Sequence, residues 1–402
     1  MKKLIWILVI IIFFEQCKSL RTVSPPKDDQ QVAKIDTTST DSLVKDTVTY
    51  YITQKGDSLT RLDSVVNKRV GRVLRDTITI KAVGDIMMGT NFPAPSYLPP
   101  KMGEKLWSNV SQTLKNADFT FGNLEGVILD DGGEQKECKN PKACYLFRTP
   151  ERYAFHFQKH GFDMLSLANN HANDFGKTGR TNTQSVLDSL GIAHAGSEEN
   201  PKATIIEKGI KIGFLAMAPN KGTVSIHNEK LALTIVSQLD SLTDIVVVSL
   251  HIGAEGSKNQ HITREREYYY GEDRGNVYQF SRLLIDNGAD VILGHGPHVV
   301  RAIDIYKERF IAYSLGNFLT YGRFNLRGPN AFAPVLKLAL DSKGRFISGN
   351  IESFIQDYSL GPIKDNRRRA ALKIKELTEI DFPESSLLID EKGKISYLNR
   401  SK

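Results

Sequence analysis

Residues 290–318 read DVILGHGPHVVRAIDIYKERFIAYSLGNF. The apolar run Val291-Ile292-Leu293 predicts a strand that carries two imidazoles, His295 and His298, into a turn at its carboxyl end. Gly294, Gly296 and Pro297 make that turn tight, and short glycine-rich turns let backbone and ligand approach closely. Imidazole is the commonest protein ligand of zinc, copper, iron and nickel. A strand pair over Val299–Tyr306 and Phe310–Leu315 is expected next, ending in the polar turn Gly316-Asn317-Phe318. Two histidines beside one turn are in isolation more often a surface loop. Four stretches of the same design upstream change that balance.

Thr77–Val83 is a β-rich run that stops at Gly84-Asp85, which puts Asp85 at a strand tip. Asp118–Phe121 leads into Gly122-Asn123-Leu124-Glu125-Gly126, and Phe162–Leu167 leads into the polar cluster Asn169, Asn170, His171, Asn173 and Asp174. Asp244–Leu250 leads into His251-Ile252-Gly253-Ala254-Glu255; it is nearly all Val and Ile, as a strand covered on both faces should be. Helices are expected over Glu104–Lys115, Glu151–Lys159 and Lys177–Leu190, with a polar insert and a helix over Thr263–Asn287. Further strands are expected at Ile192–Ala195, Ala203–Glu207 and Ile210–Met217. Phe332–Leu340 and Arg345–Glu352 should form a hairpin, and a last pair should lie near Ser386–Ile389 and Ile395–Tyr397. The basic run Arg367-Arg368-Arg369 reads as a solvated helix face.

Strands alternating with helices imply a layered α/β domain, and in open sheets of that kind ligands bind outside the carboxyl ends of the strands. The five polar turns, with Asp85, Glu125, Asn170, His171, His251, Glu255, His295 and His298, therefore share one edge. Carboxylate, amide and imidazole together suit Mn, Zn or Fe better than calcium, which prefers oxygen ligands alone. One or two ions are expected; a pair about 3.5–4 Å apart can clamp an in-line displacement at phosphorus and generate hydroxide at neutral pH. Taken singly, Asp85 or Glu125 would more often cap a helix, Asn170 would more often satisfy a turn, and His251 could be a satisfied core histidine. Taken together, they leave unexplained why every strand that looks buried ends in a ligand type. His156, His160, His194 and His227 are assigned no chemistry.

The chain has 402 residues and a formal charge of +7, enough length for one large α/β domain plus extras. A mild basic excess is compatible with anionic substrates, anionic polymers or a membrane surface, and no nucleic-acid-binding motif or dense basic helix accompanies it. Lys2-Lys3 followed by the apolar run Leu4–Phe14 reads as a secretion signal too short to span a bilayer. Cys17 follows, as in a bacterial lipoprotein signal where the cysteine is acylated; an uncleaved signal anchor with an incidental cysteine is the second reading. Either places the folded part outside the cytoplasm, on the periplasmic side of a bacterial membrane. Residues 18–76, rich in Ser, Thr, Asp and Lys, read as a tether, with one short strand considered at Thr47–Ile52. The main domain is expected over 77–355 and a C-terminal extension packing on it over 356–402. Cys138 and Cys144 are expected to close a small disulfide ring in an oxidising compartment, since one pair without a second makes a poor zinc site.

The motifs GDIMMG, GNLEG, LANNHANDFG, HIGAE, and GHGPHV followed by YSLGNF resemble the CapA family of capsule or poly-γ-glutamate synthesis proteins, over roughly residues 77–355. The resemblance implies an α/β metallophosphatase-like layered sandwich of two β-sheets flanked by helices. Mapped onto that superfamily's site, Asp85 binds one metal, Glu125 stands where a bridging aspartate is usual, Asn170, His251 and His295 bind the second, and His298 returns to the first. His171 takes the place of the histidine that protonates the leaving group, with Asp174 beside it. Two departures stand out. Met87 occupies a position where the superfamily has histidine, and a thioether is a poor ligand for hard metals; Glu125 replaces aspartate. The first position is then weak, or recruits Glu255 or Asn317, or is empty, with Asn123 a further metal or supporting residue. Arg148, in Phe147-Arg148-Thr149-Pro150, is the candidate substrate anion contact, with Asn169 as a second substrate-binding residue.

The expectation is thus a lipid-anchored, metal-dependent hydrolase of an anionic cell-envelope substrate, a phosphoester first. Cleavage or transfer at a γ-glutamyl amide is the second reading. A non-catalytic module of the capsule-synthesis machinery that binds or exports polymer is the third.

Overall fold

The computed structural model describes residues 33–38, 47–55, 58–61, 77–137, 145–207 and 209–397. The chain divides into two units, Met1–Val73 and Leu74–Lys402. In the first, where a tether was expected, the described residues form an antiparallel sheet of the strands Ala33–Thr38, Thr47–Lys55 and Ser58–Arg61. The strand considered at Thr47–Ile52 is its middle member. Cys17, the signal segment and the Cys138–Cys144 loop lie outside the described residues. Among those described, no helix is long and apolar enough to cross a membrane.

The second unit is built on two sheets. The six-stranded sheet runs in the spatial order 202–207, 210–217, 245–251, 291–295, 309–312, 303–306, and its central strands are parallel. The nine-stranded sheet has Ile78–Met87 near its middle. Phe119–Leu124 and Asn317–Thr320 lie parallel to that strand and Val335–Leu340 antiparallel to it. The sheets pack face to face through Ile80, Phe121, Phe214, Val247 and Leu293, all buried; the Phe121 and Phe214 rings meet edge-on at 5.6 Å. Alternate residues of the inner strands point outward and are covered by helices, so each strand is apolar on both faces. Val246, Val248 and Ile292 bury against the helices Glu229–Leu242 and Val277–Asp286. Val83, Leu124 and Leu165 bury against Trp107, Leu114, Phe157 and Leu187. This is the expected sandwich of two sheets flanked by helices.

Four local expectations are corrected. The helix expected over Glu104–Lys115 is two single turns, Glu104–Trp107 and Ser111–Leu114. The helix Glu229–Leu242 was not anticipated, although Ala232, Ile235, Val236 and Leu239 carry the period of a one-sided helix. Asp85 is not at a strand tip, because its strand continues to Met87, held by Asn317–Thr320 on one edge. The segment after Glu352 is integral: Lys394–Tyr397 pairs with Phe346–Glu352 inside the large sheet.

Two glycines let the strand ends converge. A Cβ at Gly84 would run into the Gly316 carbonyl, and one at Gly294 into the Tyr313 carbonyl. His298 itself sits in the left-handed region at φ 56°, a conformation that non-glycine residues hold only where the surroundings impose it.

Candidate metal centre and its cavity

The carboxyl ends of both sheets meet at one place. Asp85 comes from the middle of the nine-stranded sheet and Glu125 follows its neighbour; His251 and His295 end adjacent strands of the six-stranded sheet and lie in register. Asp85, Glu125 and His251 are buried, with ligand atoms all within 4.8 Å of one another. Asp85 Oδ1 is 3.2 Å from His295 Nδ1 and its Oδ2 is 2.8 Å from His298 Nδ1. Glu125 Oε2 lies 3.8 Å from His251 Nδ1 across the gap between the sheets.

Asn123 fastens the carboxylates. Its amide donates to Asp85 Oδ1 at 2.8 Å and to Glu125 Oε2 at 2.6 Å. Asn169 stands behind it, donating to Asn123 Oδ1 and to the Leu124 carbonyl while accepting from the His171 backbone N–H. Asn169 is wholly buried and its amide is fully used; it supports the centre and does not meet substrate, which corrects the expectation for it. Met87 turns its sulfur to the Gly89 N–H. Glu255 is ion-paired with Arg274 at 3.0 Å and stands 3.9 Å from His298 Nε2. Asn317, in register with Asp85 and with a buried, unpartnered Oδ1, is the better-placed addition.

Burial works to raise the Asp85 carboxyl, yet the hydrogen bonds and charges of His295 and His298 hold it well below the carboxylate range. Burial, then the adjacent Asp85 charge, push Glu125 well above its ordinary value. Burial drives His251 well below the usual histidine range. His298 is desolvated too, but its hydrogen bond to Asp85 and the surrounding carboxylates raise it to about 10. Glu125 Oε1, both ring nitrogens of His251, His295 Nε2, Asn170 Oδ1 and Asn317 Oδ1 are buried without a hydrogen-bond partner. An orphaned buried polar atom is costly, and this mix of N and O donors, with the ligand atoms of Asp85, Glu125 and His251 within 4.8 Å of one another, fits a divalent transition ion. The residues present therefore suit the group expected of them.

The centre opens into a cavity of about 220 Å³ lined by Asn170, His171, His298, Asn317, Arg323 and Phe324 among others. His171 Nδ1 is 2.7 Å from Asp174 Oδ2, which also accepts the Phe147 backbone N–H. The pair turns the far nitrogen of His171 toward the cavity. Arg148 is not there. Its guanidinium donates to Asn91 Oδ1 and the Gly132 carbonyl and stacks over Phe175, so it is a structural arginine. The arginine on the cavity wall is Arg323, which sequence reasoning missed together with Phe147 and Phe324.

The sequence profile of the family described as "Bacterial capsule synthesis protein PGA_cap" matches residues 79–321, more than half of the chain. The chain belongs to that family. Similar proteins include the capsule biosynthesis protein CapA of Bacillus anthracis, 29% identical over 61% of this chain, which spans 60% of that relative's length. The PGA biosynthesis protein CapA of Bacillus subtilis (strain 168) is 26% identical over 76% of this chain and 78% of its own. Among solved structures there is a remote likeness, 13% identity and TM-score 0.39, to a 5'-nucleotidase precursor from Thermus thermophilus, covering 75% of this chain and 58% of that one. The family match spans every motif that supplies the centre, from Asp85 to Asn317.

Proposed function

We propose that the chain is an extracytoplasmic, metal-dependent hydrolase acting on a phosphoester of the cell envelope or capsule, anchored to the periplasmic side of its membrane through Cys17. The observation that carries this reading is the meeting of the orphaned donors around Asp85, Glu125 and His251 with the His171–Asp174 pair at one cavity. Asp85, Glu125, His251 and His295, with the amide oxygens of Asn170 and Asn317, would hold the ion, and His298 adds a further nitrogen. A divalent transition ion supplies Lewis acidity toward a phosphoryl oxygen.

The remaining work falls to the chain. Asn123 fixes the two carboxylates so that neither can swing out when substrate enters. Asp174 holds His171 by Nδ1, leaving Nε2 to pass a proton to the departing oxygen. Phe147, with its ring centre 4.1 Å from that of His171, restricts the imidazole to one plane and limits water on that side.

The names of the Bacillus relatives favour one alternative, hydrolysis or transfer at a γ-glutamyl amide within the same capsule machinery. Release of phosphate from aryl and alkyl phosphates by the Mn-loaded protein, with the alkyl activity strongly lowered in His171→Ala, supports the phosphoesterase. Cleavage confined to glutamyl polymer would replace it with the alternative.

A further inference from the structure

Among the described residues lining the cavity, Arg323 is the one lysine or arginine. It lies in the loop between the strand Asn317–Thr320 and the turn Gly328–Ala331. Its guanidinium carbon is 4.5 Å from the ring centre of Tyr97 and 4.6 Å from that of Tyr145. Stacking of that kind occupies the faces of a guanidinium plane and leaves its N–H edge open to an in-plane acceptor. No described carboxylate pairs with that edge. The other arginines near the centre are not among the residues lining the cavity: Arg274 pairs through Nη2 with Glu255 and Glu272, and Arg301 pairs with Glu267.

Phe324, next in the chain, reaches the reacting end. Its ring stacks on Phe147 at 5.2 Å and stands edge-on to His298 at 5.4 Å. Phe147 in turn abuts His171. The cavity therefore joins imidazoles, amides and the Arg274-paired carboxylate of Glu255 to one guanidinium, that of Arg323, along an aromatic wall of Phe147 and Phe324. A phosphoryl group bound at the imidazoles leaves that guanidinium unused.

We propose that Arg323 binds a second anionic group of the substrate, a carboxylate or a phosphate, carried beyond the scissile bond on the side where His171 stands. The inference rests on the phosphoester reading of the centre and deepens it, since it selects substrates with two separated anions. A planar fork matches either oxyanion.

The test is calorimetric titration of the Mn-loaded protein with three probes that cannot be hydrolysed: phenylphosphonate, 4-carboxyphenylphosphonate and benzene-1,4-diphosphonate. The wild type should bind at least one doubly charged probe about tenfold or more tightly than phenylphosphonate, and whichever shows the larger ratio identifies the anion. Arg323→Gln should bring both ratios close to one. Ratios within twofold in the wild type, or a large ratio that survives Arg323→Gln, would overturn the subsite. Titration reads binding and not turnover, so a protein that releases phosphate from no ester still shows the ratio, and the two failures are separate results.

Discussion

Glu125 and His251 belong to different sheets, yet their side chains face each other at 3.8 Å with both wholly buried. The first follows a strand of the nine-stranded sheet and the second ends a strand of the six-stranded one. Packing the sheets face to face brings a carboxylate and an imidazole together where neither finds a full set of hydrogen bonds. The fold thus stores an electrostatic cost at this point, which a bound cation would offset.

Stability should therefore depend on the ion. A ligand bound only by the folded state adds about 4 kcal/mol at a thousandfold excess over its dissociation constant. Calorimetric melting with and without a chelator should show a fall of roughly 5 °C or more on metal removal, restored by Mn²⁺ or Zn²⁺. Identical melting curves would mean that the buried cluster holds nothing.

His171 and Asp174 should separate by leaving group. If His171 Nε2 protonates the departing oxygen, His171→Ala should lower kcat by about 10²–10⁴ on alkyl phosphates and much less on 4-nitrophenyl phosphate, whose leaving group needs no proton. Asp174→Asn should show the same pattern in milder form, because the imidazole loses its carboxylate but not its place. An equal loss on both esters would assign the pair to folding.

Arg301 ties the insert of residues 253–275 to the GHGPH turn. It is fully buried and donates to both oxygens of Glu267 and to the carbonyls of Asn259 and Ala254, while Glu267 also accepts the Ala254 N–H. Removing one partner of such a pair costs about 3–5 kcal/mol. Arg301→Met should lower Tm by roughly 6–15 °C, and proteolysis should open the chain within 253–275 first. Cleavage elsewhere, with Tm unchanged, would contradict the tie.

How much of this was legible in the sequence differs by residue. Glu125, His251, His295 and His298 were readable because each lies at or just past the end of a strand whose apolar run is plain, and parallel packing sends those ends to one edge; Asp85 was found by the same reading although its strand runs two residues further, to Met87. Asn169 was misread, since polarity alone does not tell a ligand from a residue buried beneath one. Arg148, in the short strand Arg148–Thr149, and Arg323, in a loop, both lie beside aromatic residues; what separates them is that Asn91 and Gly132 take the edge of one and leave the other open, a tertiary fact. The helix Glu229–Leu242 was readable from its spacing and was overlooked. Met87, where the resemblance led to the expectation of a histidine, turns its sulfur to the Gly89 N–H.

The histidines given no chemistry also carry a prediction. His160 stacks on Trp107 at 4.9 Å, bonds Ser111, and is lowered to about 4 by burial and then by His156. Its folded value lies below its unfolded one, so the neutral form is favoured by folding. Its contribution is complete above about pH 6.5 and is lost as pH falls toward 4. Between about pH 7 and pH 5, Tm should fall more steeply in the wild type than in His160→Gln. Parallel slopes would remove His160 from the acid response.

The convergence of the two sheets on a cation is most directly tested by metal content. After dialysis against a mixture of Mn²⁺, Zn²⁺ and Fe²⁺ and removal of excess, elemental analysis of the wild-type domain should give one or two transition-metal equivalents. Glu125→Ala combined with His251→Ala, still folded by circular dichroism, should retain almost none. An equal load in wild type and double variant, or no metal in either, would contradict the account.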